Sequence, residues 1–487
     1  MKTNAIILSI AMVMALASCN VLDIFQGSDN TVPVEELIPR EDITLTRTEA
    51  EYVKANNSFA LELFKKASSS EDGKSMLLSP LSVTFALGMV NNGAVGQTKE
   101  EIVKTLGFGE DTGSMNEFCS KMLSESGKVD PSTTIEIANA AVVNSMFSKL
   151  KDSFKGTVEK NYEANICYKD FSKDDVKSLI NKWCSEKTHG MIPELLKDQV
   201  DALEYAHFLN ATYFKGIWSS QFKKSDSKKE KFYLEDGSKK ETNMMHQKAR
   251  FNVGYLPNVG PALCLPYGNQ AFRMVIILPE EGKKLDEVKQ SLDLNRWETM
   301  ISNMSGVEVD VKLPSFESEF ETNLRDILIE MGIKSAFSGN DADFSEMTET
   351  QVSISKVIHK AKIKVDEQGS EAAAVTDVVM RYSGMGPGGP VDFTAEFHAD
   401  RPFIYAITEV STGAIYFIGQ YTGKYLSANR FFTSFRMTGQ SRMTAPCHSE
   451  AGKTCRRISF LGSGTDEKTK ELLTHEKKHY HHVEKSL

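Results

Sequence analysis

Seven cysteines in 487 residues are too few to staple a fold of this size, so an apolar core must hold it together. With Cys19 set aside, Cys119, Cys167, Cys184 and Cys264 lie in the body of the chain and Cys447 and Cys455 near its end. Cys184 and Cys264 fall within apolar runs and read as small buried hydrophobes. Basic charge is also short: 57 Lys and Arg face 66 Asp and Glu, a net −9. No basic stripe occurs in the first 420 residues, which argues against nucleic acid as a partner. Internal repeats are absent, and no linker divides residues 49–424 into separate domains. One mixed α+β domain is the economical expectation.

The N-terminal apolar run, residues 5–17, follows Lys2 and is too short to span a bilayer. It ends in LASC, and small residues followed directly by Cys resemble the lipobox of bacterial lipoproteins. That resemblance implies export, with Cys19 lipidated in the bacterial cell envelope, at the outer membrane or cell surface. An ordinary signal peptide, giving a secreted protein, is the alternative. Residues 20–48 are polar and read as a tether. Residues 425–487 are rich in Lys, Arg and His, and are expected to be disordered.

Between these ends the patterns change from helix to strand and back. EYVKANNSFALELFKKAS, from residue 49, has helical apolar spacing. Ser79 and Ser82 bracket Pro80 ahead of a helical apolar run over 81–90, and Thr98 with Glu101 three residues on predicts a capped second helix. Residues 135–144, 207–214 and 273–278 read as strands, 178–187 as helix. PFIYAITEVSTGAIYFIGQ reads as two strands around a turn at 411–413.

One segment is ambiguous in an informative way. Stepping by two from Ser370 through Ala372, Ala374, Thr376, Val378 and Met380 gives an uncharged, mostly small face. The other face carries Glu371, Asp377 and Arg381. Such a strand can be buried on one side without burying an ion. Yet it runs into Gly384, Gly386, Pro387, Gly388, Gly389 and Pro390, the composition of an exposed loop. A segment suited both to a loop and to a central strand suggests a strand-insertion switch.

These residues resemble the reactive-loop hinge of the serpins. Similar to family patterns are LLSPLSVTFAL at 77–87, INKWCSEKTHGMIPELL at 180–196, LNATYFKGIW at 209–218, LPYGN at 265–269, KLPSF at 312–316, DFSEM at 343–347 and HKAKIKVDEQGSEAAAVT at 359–376. The resemblance covers roughly residues 49–423 and implies three β-sheets surrounded by eight or nine helices, with an exposed reactive loop at about 367–396. It implies a monomeric inhibitor, not an enzyme, and no cofactor. A target endopeptidase is trapped when the cut loop inserts into the main sheet. About fourteen residues at about 3.3 Å each would carry the protease some 45 Å. Carried over by position, Glu367, Gly369, Ser370, Ala372, Ala374 and Thr376 form the hinge, Ser79, Pro80, Ser82, Asn210 and His359 the shutter beneath the opening strands, and Trp218 the breach at the top. A non-inhibitory binding or chaperone protein on the same fold is the rival reading.

Two departures stand out. Where many family members carry Lys after LP, able to pair with the hinge Glu, this chain has Ser315. The segment 383–397 is longer than usual, which leaves the cut bond open. Arg381 suits a trypsin-like protease, Tyr382 a chymotrypsin-like one, and Val379, Met380, Ser383 or Met385 elastase-like enzymes. Tyr382 and Ser383 are favoured by a count of about fourteen residues, one strand's worth. The resemblance extends the range of targets to papain-like cysteine proteases. Two motifs are discarded: the GxGxxG of Gly384, Gly386 and Gly389 contains Pro387 and lacks a following helix, and the HExxH of His475, Glu476 and His479 lies in a polar tail.

Overall fold

A computed structural model describes residues 39–69, 73–109, 111–370, 394–424 and 433–439. The chain begins with α1 (Arg47–Ser69), β1 (Met76–Leu78), α2 (Pro80–Asn91), α3 (Gly96–Leu106) and α4 (Thr112–Ser126). Next come β2 (Thr134–Asn144), α5 (Asp152–Tyr162), β3 (Asn165–Lys169), α6 (Val176–Lys187) and β4 (Glu204–Ile217). β5 (Lys228–Tyr233), β6 (Lys239–Leu256), β7 (Gly260–Tyr267) and β8 (Phe272–Ile277) form a run of strands. α7 (Leu285–Ser291), α8 (Leu294–Ser302), β9 (Ser305–Pro314), β10 (Phe316–Asn323) and α9 (Arg325–Met331) lead to β11 (Val352–Val365) and β12 (Gly369–Ser370). β13 (Thr394–His398), β14 (Phe403–Glu409), β15 (Ile415–Tyr421) and β16 (Thr433–Gly439) close it.

Local chemistry accounts for several of these boundaries. Ser79 is extended and Pro80 opens α2, where a missing N–H costs nothing, and all twelve residues of α2 are buried. The cap expected at Thr98 is not formed: α3 begins at Gly96 after Val95. The buried Thr98 hydroxyl instead accepts from the Asp343 N–H at 3.0 Å. Glu101 reaches away from its own helix to the amides of Lys334 and Ser335, at 2.7 and 2.6 Å. Tertiary partners have won over the local capping box.

The main sheet has seven strands in the order β10-β11-β12-β4-β2-β3, with β16 bonded to both β11 and β4. All its pairings are antiparallel except β2 with β3. The second sheet runs β1-β15-β14-β8-β7-β6-β9-β13, with β5 on β6. Among the described residues there are thus two sheets where three were expected. The 18-residue β6 joins what would be separate sheets, pairing with β7 over Asn252–Leu256 and with β9 over Met244–Val253. Nine α-helices flank them among the described residues. Phe214 of β4 packs edge-on against Tyr267, Phe272 and Phe417 of the second sheet and ties the two layers into one core.

A second departure concerns the C-terminal extension. Within a segment read from composition as disordered, Thr433–Gly439 is a strand at the centre of the main sheet. Backbone pairing on two sides holds such a strand whatever its side chains.

Candidate functional site: the hinge and the sheet beneath it

β11 ends in a tight turn. The Asp366 N–H donates to the Gly369 carbonyl at 2.9 Å and the Gly369 N–H returns to the Asp366 carbonyl at 3.2 Å. The chain then enters the sheet: Ser370 pairs with Val365 of β11 on one side and Gly216 of β4 on the other. Its side chain is fully buried, and Oγ lies 2.6 Å from the Tyr267 hydroxyl. Burial pushes the Tyr267 hydroxyl far above the ordinary tyrosine range, so it remains a neutral donor and acceptor.

Trp218 clamps this turn from above. Its ring stacks on Tyr267 with centroids 4.4 Å apart, its Nε1–H donates to the Asp366 carbonyl at 2.9 Å, and its backbone N–H reaches the Gln368 carbonyl at 2.8 Å. Glu367, with Ser315 in place of a lysine partner, is held by an amide instead. Asn243 of β6 donates to its carboxylate at 3.0 Å and also lies 3.3 Å from the Ser315 hydroxyl. Burial pushes the Glu367 carboxyl up, but the Ser227 hydroxyl, its own backbone N–H, Asn243 and the charge of Lys224 outweigh burial and hold it below the usual range. The anchor is therefore an anion held by neutral hydrogen-bond donors, with the Lys224 charge adding to them.

Gly369 is sterically required. A Cβ there would lie 2.0 Å from the Gly216 carbonyl oxygen and 2.8 Å from Ile217 Cα, both backbone atoms that cannot swing away. Gly369→Ala is therefore expected to lift β12 out of the sheet. The loss should be about 1–3 kcal/mol of stability, read from the thermal midpoint and from a red shift in Trp218 emission. An unchanged midpoint and spectrum would show that the turn is not held as described.

Lower down, the buried polar groups form a connected set. Asn210 of β4 accepts from the Ser82 hydroxyl and donates through Nδ2 to Asn139 Oδ1 at 2.8 Å. Asn139 of β2 in turn donates to the Tyr162 carbonyl at 2.7 Å. His359 of β11 accepts from the Ser79 backbone N–H at 3.2 Å through Nε2. Burial pushes this imidazole down to about 3, so it is neutral and carries its proton on Nδ1. Pro80 positions α2, from which Ser79 and Ser82 reach the two strands.

The structure thus brings together Glu367, Gly369, Ser370 and Trp218 at the top of the sheet, and Ser79, Pro80, Ser82, Asn210 and His359 beneath its middle. Ala372, Ala374, Thr376, Val379, Met380, Arg381, Tyr382, Ser383 and Met385, together with Cys19, lie outside the described residues. Sequence reading missed Asn139, Asn243 and Tyr267. Asn139 carried a signal, being a lone amide in the apolar run IANAAVV, where a buried polar group must find a partner. Asn243 acts across 124 positions of sequence and no local pattern marks it; Tyr267 lies in LPYGN, but its partner Ser370 is 103 positions away.

Comparison with known proteins agrees with this architecture. The sequence model of the family described as Serpin (serine protease inhibitor) matches residues 54–423. The chain belongs to the serpin family. It is 33% identical over 377 residues to serpin B6 of Pongo abelii, covering 76% of this chain and 98% of that one. It is 32% identical over 380 residues to the human leukocyte elastase inhibitor, covering 76% and 98%. Among solved structures, the native state of the thermophilic serpin tengpin superposes with a TM-score of 0.69 at 27% identity, covering 79% and 97%. Human thyroxine-binding globulin complexed with thyroxine gives a TM-score of 0.70 at 26% identity, covering 78% and 100%.

Proposed function

We propose that the chain is a suicide-substrate inhibitor of endopeptidases. A serine protease, or a papain-type cysteine protease, attacks a carbonyl carbon in the reactive loop and forms an acyl-enzyme. The peptide bond breaks, and the new amino terminus departs with the C-terminal side of the cut. The N-terminal side, still joined to the protease as an ester of its serine or a thioester of its cysteine, inserts into the main sheet before water can release it. No residue of this chain acts as a catalyst; serpins are protease inhibitors.

One observation carries this reading: Ser370 already lies between β4 and β11, bonded to both strands and buried. Extending that register by single steps places Ala372 opposite Phe214 and Ile363, Ala374 opposite Thr212 and Ala361, and Thr376 opposite Asn210 and His359. Alternation keeps all three on the inward face of Ser370. Insertion of the first residues after Ser370 then gains backbone hydrogen bonds on two sides and buries the small side chains of Ala372 and Ala374. The N-terminal pattern supports lipid anchoring at Cys19; the tether expected over residues 20–48 is shorter than that at its C-terminal end, since Ile43 is buried in the core and α1 begins at Arg47, and it would hold a monomeric domain to a bacterial outer membrane or cell surface, where it meets host or microbial proteases.

The test mixes the mature protein with trypsin-, chymotrypsin-, elastase- and papain-type proteases, followed by denaturing gels and mass spectrometry. The expected result is a covalent complex that survives denaturation, with the released peptide locating the cut at Tyr382 or Ser383. Cleavage by every class without a complex would overturn inhibition and favour a binding role on the same scaffold.

A further inference from the structure

β16 lies beyond the stretch that matches the family, which ends at residue 423, yet it sits in the middle of the main sheet. Thr433 is opposite Asn210 of β4 and Met437 opposite Ala206, with no irregularity between them. On the other side Ser434 is opposite Ile358 of β11 and Gly439 opposite Val352. Both pairings are antiparallel, the orientation in which β12 enters between the same two strands higher up.

The register of the hinge makes the coincidence quantitative. Continued along β4 from Ser370 opposite Gly216, the reactive loop would bring Thr376 to Asn210 and Met380 to Ala206. Those two places are held by Thr433 and Met437. A threonine and a methionine thus recur at the same positions, TSFRM in the extension against TDVVM in the loop. β11 gives the same alignment independently: Asp377 would come to Ile358, where Ser434 now pairs.

We propose that Thr433–Gly439 is a built-in stand-in for the lower half of the inserting loop, a latch strand that must leave the slot before the cut loop can enter. Among the described pairings, β4 and β11 are joined only through β12 and β16. Without β16 they would present facing rows of N–H and C=O groups there, the kind of edge that another strand completes. β16 satisfies those groups in advance, so insertion exchanges hydrogen bonds along this stretch and gains fewer new ones. The exchange also takes time, during which the acyl-enzyme can hydrolyse. Occupancy of the slot by β16 stands apart from the inhibitory reading; its consequence for protease trapping rests on that reading.

The test keeps the full mature chain and compares it with the double variant Phe435→Pro/Met437→Pro, since proline cannot donate to a central ladder. In the unaltered chain, the backbone amides of residues 434–438 should be protected from hydrogen exchange. A synthetic peptide of residues 370–380, SEAAAVTDVVM, should then be taken up about tenfold or more faster by the variant than by the unaltered chain. Covalent complex formation should quicken in parallel, with less cleaved by-product. Amides 434–438 exchanging as fast as free chain in the unaltered protein would overturn occupancy, and that measurement needs no variant. Protected amides with equal peptide uptake by both chains would overturn the latch. A difference in peptide uptake, with no protease trapped by either chain, would support the latch and count against protease inhibition alone.

Discussion

Ala372→Arg is expected to turn the protein from an inhibitor into a substrate: proteases cut the loop at the usual rate, but no covalent complex survives. Ser370 fixes which side chains go inward, because its Oγ meets Tyr267 inside the core. Residue 372 shares that face, and the register brings it between Phe214 and Ile363. Those two side chains, with Thr212, Ile192, Ile407 and Phe417, line a small mostly apolar crevice under the sheet. An alanine fills part of it. An arginine would have to leave water with no carboxylate lining the crevice to receive it. A buried charge without a partner costs ~3–5 kcal/mol, which slows insertion by ~2–4 decades if most of it is felt in the transition state. Hydrolysis of the acyl-enzyme then wins. The neighbouring Ala373→Arg is the control, since alternation puts residue 373 on the opposite face, and it should still form complex. Equal trapping by Ala372→Arg and the unaltered protein would refute insertion.

How far these features could be read from sequence depends on the range of the interactions behind them. The break at Ser79 and Pro80 is local, and α2 begins there. The uncharged alternate face beginning at Ser370 is likewise a property of consecutive residues, and Ser370 is buried in the sheet. The capping box at Thr98 and Glu101 had the right local pattern, but both side chains had better partners more than 200 positions away. The same distance problem hid Asn243, the donor that replaces a lysine for Glu367. The merging of two expected sheets through β6 was illegible for another reason. Its sequence KKETNMMHQKARFNVGYL mixes charge and apolar residues without steady alternation, because different halves of the strand face different neighbours. β16 is the extreme case: polar composition argued for disorder, whereas a strand paired on both sides draws on backbone groups that composition does not report.

The second large effect concerns His359. Folding removes this imidazole from water and burial pushes its pKa down to about 3, against an ordinary value of about 6.5 in the unfolded chain. Between those two values the unfolded chain binds a proton that the native protein refuses, so stability rises with pH over that interval. The contribution is whole above about pH 6.5 and falls away as the pH drops, by ~2 kcal/mol at pH 5 and ~3 kcal/mol near pH 4. Native carboxylates add their own acid dependence, so the informative quantity is the difference between two chains. His359→Gln supplies a neutral acceptor for the Ser79 N–H at every pH but fills the site less well. It should be less stable than the unaltered protein at pH 7, by ~1–2 kcal/mol. That deficit should close on acidification and reverse below about pH 5. Denaturant midpoints for both chains from pH 7.5 to 4.5 give the comparison directly. Parallel curves with no crossing would mean that His359 already takes up its proton in the native state, and that the buried, neutral imidazole at the shutter is wrong. A crossing would place the acid sensitivity of the fold at the junction of α2 with β11, beside the slot through which the loop must pass.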